Sequence, residues 1–114
     1  MAIKVGGRIL FINLCDVVSV QAKGKCVWFQ GNGSSYLLRE SISAVTKALE
    51  THGFIRIHRS TIVNINEICE ILPLLGGDYS VVLRDKTRLT LSRRYRLSFD
   101  EFLRGKLVSL PKSV

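Results

Sequence analysis

The sequence predicts a mainly β protein with one helix near its middle. Three observations predict it. Short apolar runs recur along the chain. Some alternate as a half-buried strand does, as in Arg88-Leu89-Thr90-Leu91-Ser92, where the two leucines share a face. Turn-forming residues separate the runs at short intervals, at Gly6-Gly7, Lys23-Gly24-Lys25, Gly31 to Ser35 and Gly76-Gly77-Asp78. Only Ser41 to His52 carries a clear helical period. At 114 residues the chain makes one domain, and a domain of that size buries roughly two thirds of its unfolded surface.

The elements follow in order. Gly6-Gly7 is a turn, followed by a strand over Arg8 to Ile12. Asp16 to Gln21 is a second strand, with Val18 and Val20 expected on one face. Lys23-Gly24-Lys25 is a tight turn, with Gly24 free to take positive φ. Cys26-Val27-Trp28-Phe29 is β-branched and aromatic, hence a strand, with Trp28 expected in the core. It pairs through a loop at 31–35 with Tyr36-Leu37-Leu38. In the helix, Ser41 is the N-cap, Ile42, Val45 and Leu49 form the apolar stripe, and Gly53 terminates it.

The chain is organised around the next stretch, Phe54-Ile-Arg-Ile-His-Arg-Ser-Thr-Ile-Val-Asn64. Apolar and basic residues alternate, stop at His58-Arg59-Ser60, and give way to Ile62-Val63. This is a strand feeding an exposed polar turn. A short strand or turn follows at Thr61 to Asn64, and a further strand at Ile65 to Leu75. Tyr79 to Leu83 and Arg88 to Leu91 flank a hairpin at Arg84 to Thr87. A short helix starts near Ser92, its cap, and runs through Leu97, Phe99 and Phe102. The domain is expected to span residues 1–104, with a partly disordered tail at 105–114.

The net charge is +8, from 17 Lys and Arg against 9 Asp and Glu. The sharpest cluster is Arg84, Lys86, Arg88, Arg93, Arg94 and Arg96, opposed by Asp85 alone. Arginine reads phosphates and guanine edges through a planar fork, so a polyanion is the leading partner and nucleic acid the commonest one. The bland alternative is a solvated basic surface. No stretch approaches the roughly 20 apolar residues of a membrane-spanning helix. Met1 to Lys4 is too short and mixed for a signal peptide, so the expected location is the cytoplasm.

Nothing supports catalysis or a cofactor. Cys15, Cys26 and Cys69 form no C-x-x-C pair and are expected to be buried small hydrophobes. His52 and His58 lack metal-pair spacing. The glycine pairs fall between strands, and none leads into a helix as a phosphate-cradling loop must. What remains are basic and polar residues at three strand ends: Lys23-Gly24-Lys25, His58-Arg59-Ser60 and Ser92-Arg93-Arg94. Taken alone, His58-Arg59-Ser60 is also what a turn looks like when its histidine caps a backbone carbonyl. Arg93 and Arg94 stand at a helix start, where cations oppose the dipole, and an anionic partner would account for them.

The runs Phe54-x-Arg56-Ile57-His58-Arg59-Ser60-x-x-Val63-Asn64 and Gly77-Asp78-Tyr79-x-Val81-x-Leu83-x-Asp85-x-Thr87-x-Leu89-x-Leu91-Ser92-Arg93 resemble the LytTR-type DNA-binding domain of bacterial response regulators. Asp16-Val17-Val18-x-Val20-Gln21-Ala22-x-Gly24 and the single helix fall in the expected order, so the resemblance covers about residues 5 to 103. It implies an elongated arrangement of small antiparallel sheets with one or two short helices. It also implies loops, rather than a recognition helix, in the DNA major groove at repeated promoter sites, often as a dimer driven by a receiver domain. Carried onto this chain, Arg59 and Arg94 fall at base-reading positions, with a third contact at or near Lys25. Lys23, His58, Ser60 and Arg93 become phosphate or positioning contacts. The chain departs from the pattern at Gln21 and Cys26, where an acidic and an aromatic residue are usual, and at Lys86, where glycine is usual. The expected function is sequence-specific binding of double-stranded DNA for transcriptional regulation. The competing class is an RNA-binding or protein-interaction module using the same basic surface.

Overall fold

The structure, a computed structural model, describes residues 1–111. The last three residues of the expected tail, 112–114, lie outside the described residues. The body is elongated, 58 × 25 × 25 Å. Three antiparallel sheets build it. Strands β1 (Ala2–Val5) and β2 (Arg8–Phe11) form a hairpin. Strands β3 (Val17–Lys23), β4 (Cys26–Gly31), β5 (Ser35–Leu38), β6 (Phe54–His58) and β7 (Thr61–Asn64) form a five-stranded sheet in the order β5-β4-β3-β7-β6. Strands β8 (Ile68–Pro73), β9 (Tyr79–Leu83) and β10 (Arg88–Leu91) form the third, in the order β10-β9-β8. Helix α1 spans Ile42–Leu49 and helix α2 spans Arg96–Leu103.

The five-stranded sheet has a core on each face. On one side Val17, Val20, Val27, Phe29, Leu38, Phe54 and Ile62 pack with Val45 and Leu49 of α1. On the other, Val18, Ile57 and Val63 pack with Val81, Leu83 and Leu91 of the third sheet and Phe99 of α2. The placement of Val18 corrects the expectation that it shares a face with Val20. A bulge between Val17 and Ser19 breaks the alternation, so Val17 and Val20 face α1 while Val18 faces the third sheet.

Helix α1 forms as its sequence dictates. Ser41 Oγ accepts from the Ala44 amide at 3.1 Å, and Gly53 takes a φ of +83° just beyond the one-turn extension Glu50–His52. Ser92, by contrast, makes no side-chain cap. A 3-10 turn at Arg93–Tyr95 precedes α2, and the carboxylate of Asp78 receives the Arg93 amide at 3.0 Å. Leu97 is exposed, while Phe99 is buried. The strand expected from Ile65 begins only at Ile68. Its first three residues are a 3-10 turn capped by Asn64, whose Oδ1 accepts from the Asn66 amide at 3.0 Å.

Two further expectations fail, the burial of the cysteines and the core placement of Trp28. Cys15 lies exposed in a 3-10 turn, and Cys69 lies exposed at a register shift in β8, between Ile68 and Glu70. Cys26 is half-buried. Val27 and Phe29 face α1, so Trp28 takes the sheet's other face, half-buried between its register partners Gln21 and Leu37.

Asn64 closes the long stretch that holds the middle of the fold. It is buried, and its Nδ2 donates to the Val17 carbonyl at 2.8 Å and reaches the Leu14 carbonyl at 3.5 Å. Asn64→Ala strips partners from groups shielded from water and should lower stability by roughly 2–3 kcal/mol. Urea unfolding measures this, and an unchanged midpoint would show the bonds to be worthless. The hairpin at Arg84–Thr87 carries the opposite opportunity. Lys86 is the one described non-glycine residue at positive φ, +75°. Beside it the Asp85 carboxylate accepts from the Thr87 amide at 2.9 Å, which holds its pKa below the ordinary value. Lys86→Gly relieves left-handed strain, offset in part by a freer unfolded chain, for a net gain of roughly 0.5–1 kcal/mol. The midpoint of the same unfolding curve should rise, and a fall would refute the strain argument.

Candidate nucleic-acid interface

The candidate site is built from three neighbouring turns. The first joins β3 to β4 through Gly24 and Lys25, with Lys23 paired to Cys26. Gly24 has a φ of +59°, which a tight hairpin turn of this hand requires. The second joins β6 to β7 through Arg59 and Ser60, with His58 paired to Thr61. The third is the 3-10 turn Arg93–Tyr95, between β10 and α2.

Main-chain bonds bring them together. The Ala22 amide donates to the Ser60 carbonyl at 2.8 Å, fastening the first turn to the second. The Ser92 amide donates to the Ile57 carbonyl at 2.8 Å, fastening the third turn to β6. The first two turns are two strand spacings apart, roughly 10 Å. That is within the roughly 12 Å width of a DNA major groove.

The side chains divide by burial. Lys23, Lys25, Arg59, Arg93 and Arg94 are exposed, while His58 and Ser60 are half-buried. Lys23 is partly engaged, its ammonium 5.7 Å from the centre of the Trp28 ring. Among the described residues the ion pairs are Arg84–Glu67 and Arg96–Asp100, so Lys25, Arg59, Arg93 and Arg94 face no carboxylate within pairing distance. His58 does not cap a carbonyl. Its Nδ1 accepts from the Ser60 amide at 3.2 Å and lies 2.9 Å from Ser60 Oγ. A ring nitrogen used as acceptor leaves Nε2–H as the free donor of the neutral imidazole.

Two residues that shape the site belong to the runs that resemble the family, yet nothing in the sequence assigned them a role. Arg56 is one step in the alternation of β6, yet its guanidinium donates to three elements. Nε reaches the His58 carbonyl at 3.2 Å, Nη1 reaches Ser43 Oγ of α1 at 3.2 Å, and Nη2 reaches the Arg59 carbonyl. The same group lies over the Tyr95 ring, 5.3 Å from its centre. Asp78 belongs to a turn between β8 and β9, and only the fold brings its carboxylate to the Arg93 amide. The basic run Arg84 to Arg96 is not one patch. Arg84 bonds the Asn66 carbonyl at 2.9 Å, and Arg96 lies 4.6 Å from the centre of the Tyr79 ring.

Small antiparallel sheets, two short helices and basic turns fastened to one another define the class of the fold. Residues 7–104 match the model of the LytTr DNA-binding domain, and the chain belongs to that family. It is 28% identical over 104 residues to the sensory transduction protein LytT of Bacillus cereus, covering 91% of this chain and 42% of that protein. It is 31% identical over 78 residues to the transcriptional regulatory protein YpdB of Escherichia coli, covering 68% of this chain and 32% of YpdB. The chain thus spans less than half the length of these relatives. A solved LytTr DNA-binding domain from Bacillus cereus shares the fold, with a TM-score of 0.76, 24% identity and coverage of 90% of this chain and 94% of the other.

Asp78→Ala should cost about 1 kcal/mol, the usual worth of a helix-start cap. The local consequence is the sharper one: the Arg93 amide should exchange its hydrogen faster, with the amides of β6 unchanged. Unaltered exchange at Arg93 would show that Asp78 does not hold the third turn.

Proposed function

We propose that this domain binds double-stranded DNA in a sequence-specific manner to regulate transcription, with its three turns set against the major groove. Arg59 and Arg94 read base edges through the guanidinium fork, and Lys25 supplies a third contact. Lys23, His58, Ser60 and Arg93 hold phosphates or position their neighbours. The observation that carries this reading is the pair of main-chain bonds, Ala22 to Ser60 and Ser92 to Ile57, which hold three basic turns next to one another.

In the cell the domain acts in the cytoplasm as the effector part of a two-component response regulator, joined to a receiver domain. It binds repeated promoter sites as a homodimer. The supports are family membership and the similarity to longer proteins named for sensory transduction and transcriptional regulation. No described helix is long and apolar enough to cross a membrane. An RNA-binding platform is the weaker reading. Single-strand readers stack successive bases on exposed aromatics. Phe29, Phe54 and Phe99 are buried here, and Trp28 is half-buried beside Lys23.

Selection on random duplex DNA supplies the cognate site. On that site Arg59→Ala and Arg94→Ala should each cost roughly 1–3 kcal/mol, with far smaller losses on scrambled duplex. Lys25→Ala tests the third contact in the same way. Lys106→Ala serves as control. Its ammonium caps the Phe102 carbonyl at 3.1 Å, past the far end of α2, and binding should barely change. Equal losses on cognate and scrambled duplex for the two arginines would sink the base-reading assignment.

A further inference from the structure

Arg56 has no place among the contacts proposed above, and its surroundings show why. A half-buried guanidinium spends its donors inward, on the His58 and Arg59 carbonyls at the turn and on Ser43 Oγ of α1. Its Cζ lies over the ring of Tyr95, the residue next to Arg94, 5.3 Å from the ring centre. We infer that Arg56 is a positioning residue that sets the sequence specificity of DNA binding by coupling the Arg59 turn to the Arg94 turn. The inference rests on the DNA-binding reading.

The physical case runs from the backbone outward. Arg59 lies at the exposed tip of a two-residue hairpin, where its carbonyl has no ladder partner. A charged donor on that carbonyl, and a second on the His58 carbonyl, fix two peptide planes of the turn. The root of the Arg59 side chain is fixed with them. A bulge assists. Arg56 pairs with Ile62 and His58 with Thr61, which are adjacent on β7, so Arg56 and His58 face opposite sides of the sheet. Arg56 is thereby on the α1 side, within reach of Ser43, while His58 is free to bond Ser60. Bidentate base reading tolerates misplacement of only about 0.5 Å, so the placement of both turns governs specificity. Lysine cannot take over this role. Its ammonium is a single point, without a fork to span three acceptors while it lies over the Tyr95 ring.

The test uses the selected duplex, a scrambled duplex and a salt series, with thermal unfolding of every variant. Arg56→Lys should lower the ratio of cognate to scrambled affinity about tenfold, near the low end of the cost of one mismatched base pair. Affinity for scrambled duplex should stay within about twofold, and the salt slope should not move, because no phosphate contact is lost. On an Arg59→Ala background the same change should cost under about threefold, since part of its effect passes through Arg59. Tyr95→Leu keeps apolar bulk and Arg56 itself but removes the aromatic ring, and it should lower the ratio in the same direction. A folded Arg56→Lys or Tyr95→Leu protein that keeps the wild-type ratio overturns the inference. So does an equal loss on both duplexes with a salt slope lower by about one, which would make Arg56 a phosphate contact. A wild-type protein with no preference between the duplexes overturns the DNA-binding reading, and the inference with it.

Discussion

One hairpin belongs to two cores, and the rest of the structure depends on it. Phe54 and Ile62 of β6 and β7 pack on the α1 side, while Ile57 and Val63 pack on the third sheet. Alternation along β6 and β7 places these residues on opposite faces, and the bulges at Val17–Ser19 and Arg56–His58 re-aim Val18 and His58 around them. Without them, strict alternation would send Val18 to the wrong face and turn His58 to the α1 side. A hairpin clamped from both faces cannot rock, so its tip is a fixed point in space. That tip is Arg59-Ser60.

On the proposed reading, fixing the tip would let a turn do what a helix does elsewhere. Neither helix offers a basic face for a groove. Helix α1 buries Val45 and Leu49 and carries one cation, Lys47. Helix α2 buries Phe99, and its Arg96 is paired with Asp100 and lies over the Tyr79 ring. Two-residue turns between clamped strands have few free dihedrals, so ordering them on a ligand costs little entropy. Asp78, Arg56 and His58 bond the main chain of these turns, and the outward cations are left unpaired.

Much of this was legible in the sequence because it rests on local rules. The helix Ser41–Leu49 declared itself by cap, stripe and terminal glycine, and the hairpins by their turn residues. The three basic turns could be named as strand ends, and the resemblance to the family set their order. What escaped was non-local. Arg56 looks like an outward step in a strand until the fold sets it against Ser43 and Tyr95, which lie 13 positions before and 39 positions after it. Asp78 caps an amide 15 residues away. Cys69 and Val18 were misplaced because a bulge has no periodic signature and reverses the face of every residue beyond it. Trp28 was assigned to the core on hydrophobicity alone, while Val27 and Phe29 held the inward register.

Charge shows the same difference between sequence and space. Along the chain, Arg84 to Arg96 forms a single cationic block. Folding stretches it along β10 (Arg88–Leu91), so the Arg84–Thr87 tip and the Arg93–Arg94 turn lie beyond opposite ends of that strand, the steps from Thr87 to Ser92 spanning roughly 17 Å. This is about twice the screening length of roughly 8 Å in physiological salt, so the two ends do not act as one patch. Lys86 and Arg88 therefore add to the general attraction of a +8 domain for a polyanion without placing a side chain at the three turns. Specificity falls to fewer cations than composition suggests. Arg59 and Arg94 combine an exposed fork, no neighbouring carboxylate and a root fastened to the scaffold, and on the proposed reading it is this combination, more than the number of arginines, that would let a basic surface distinguish one duplex from another.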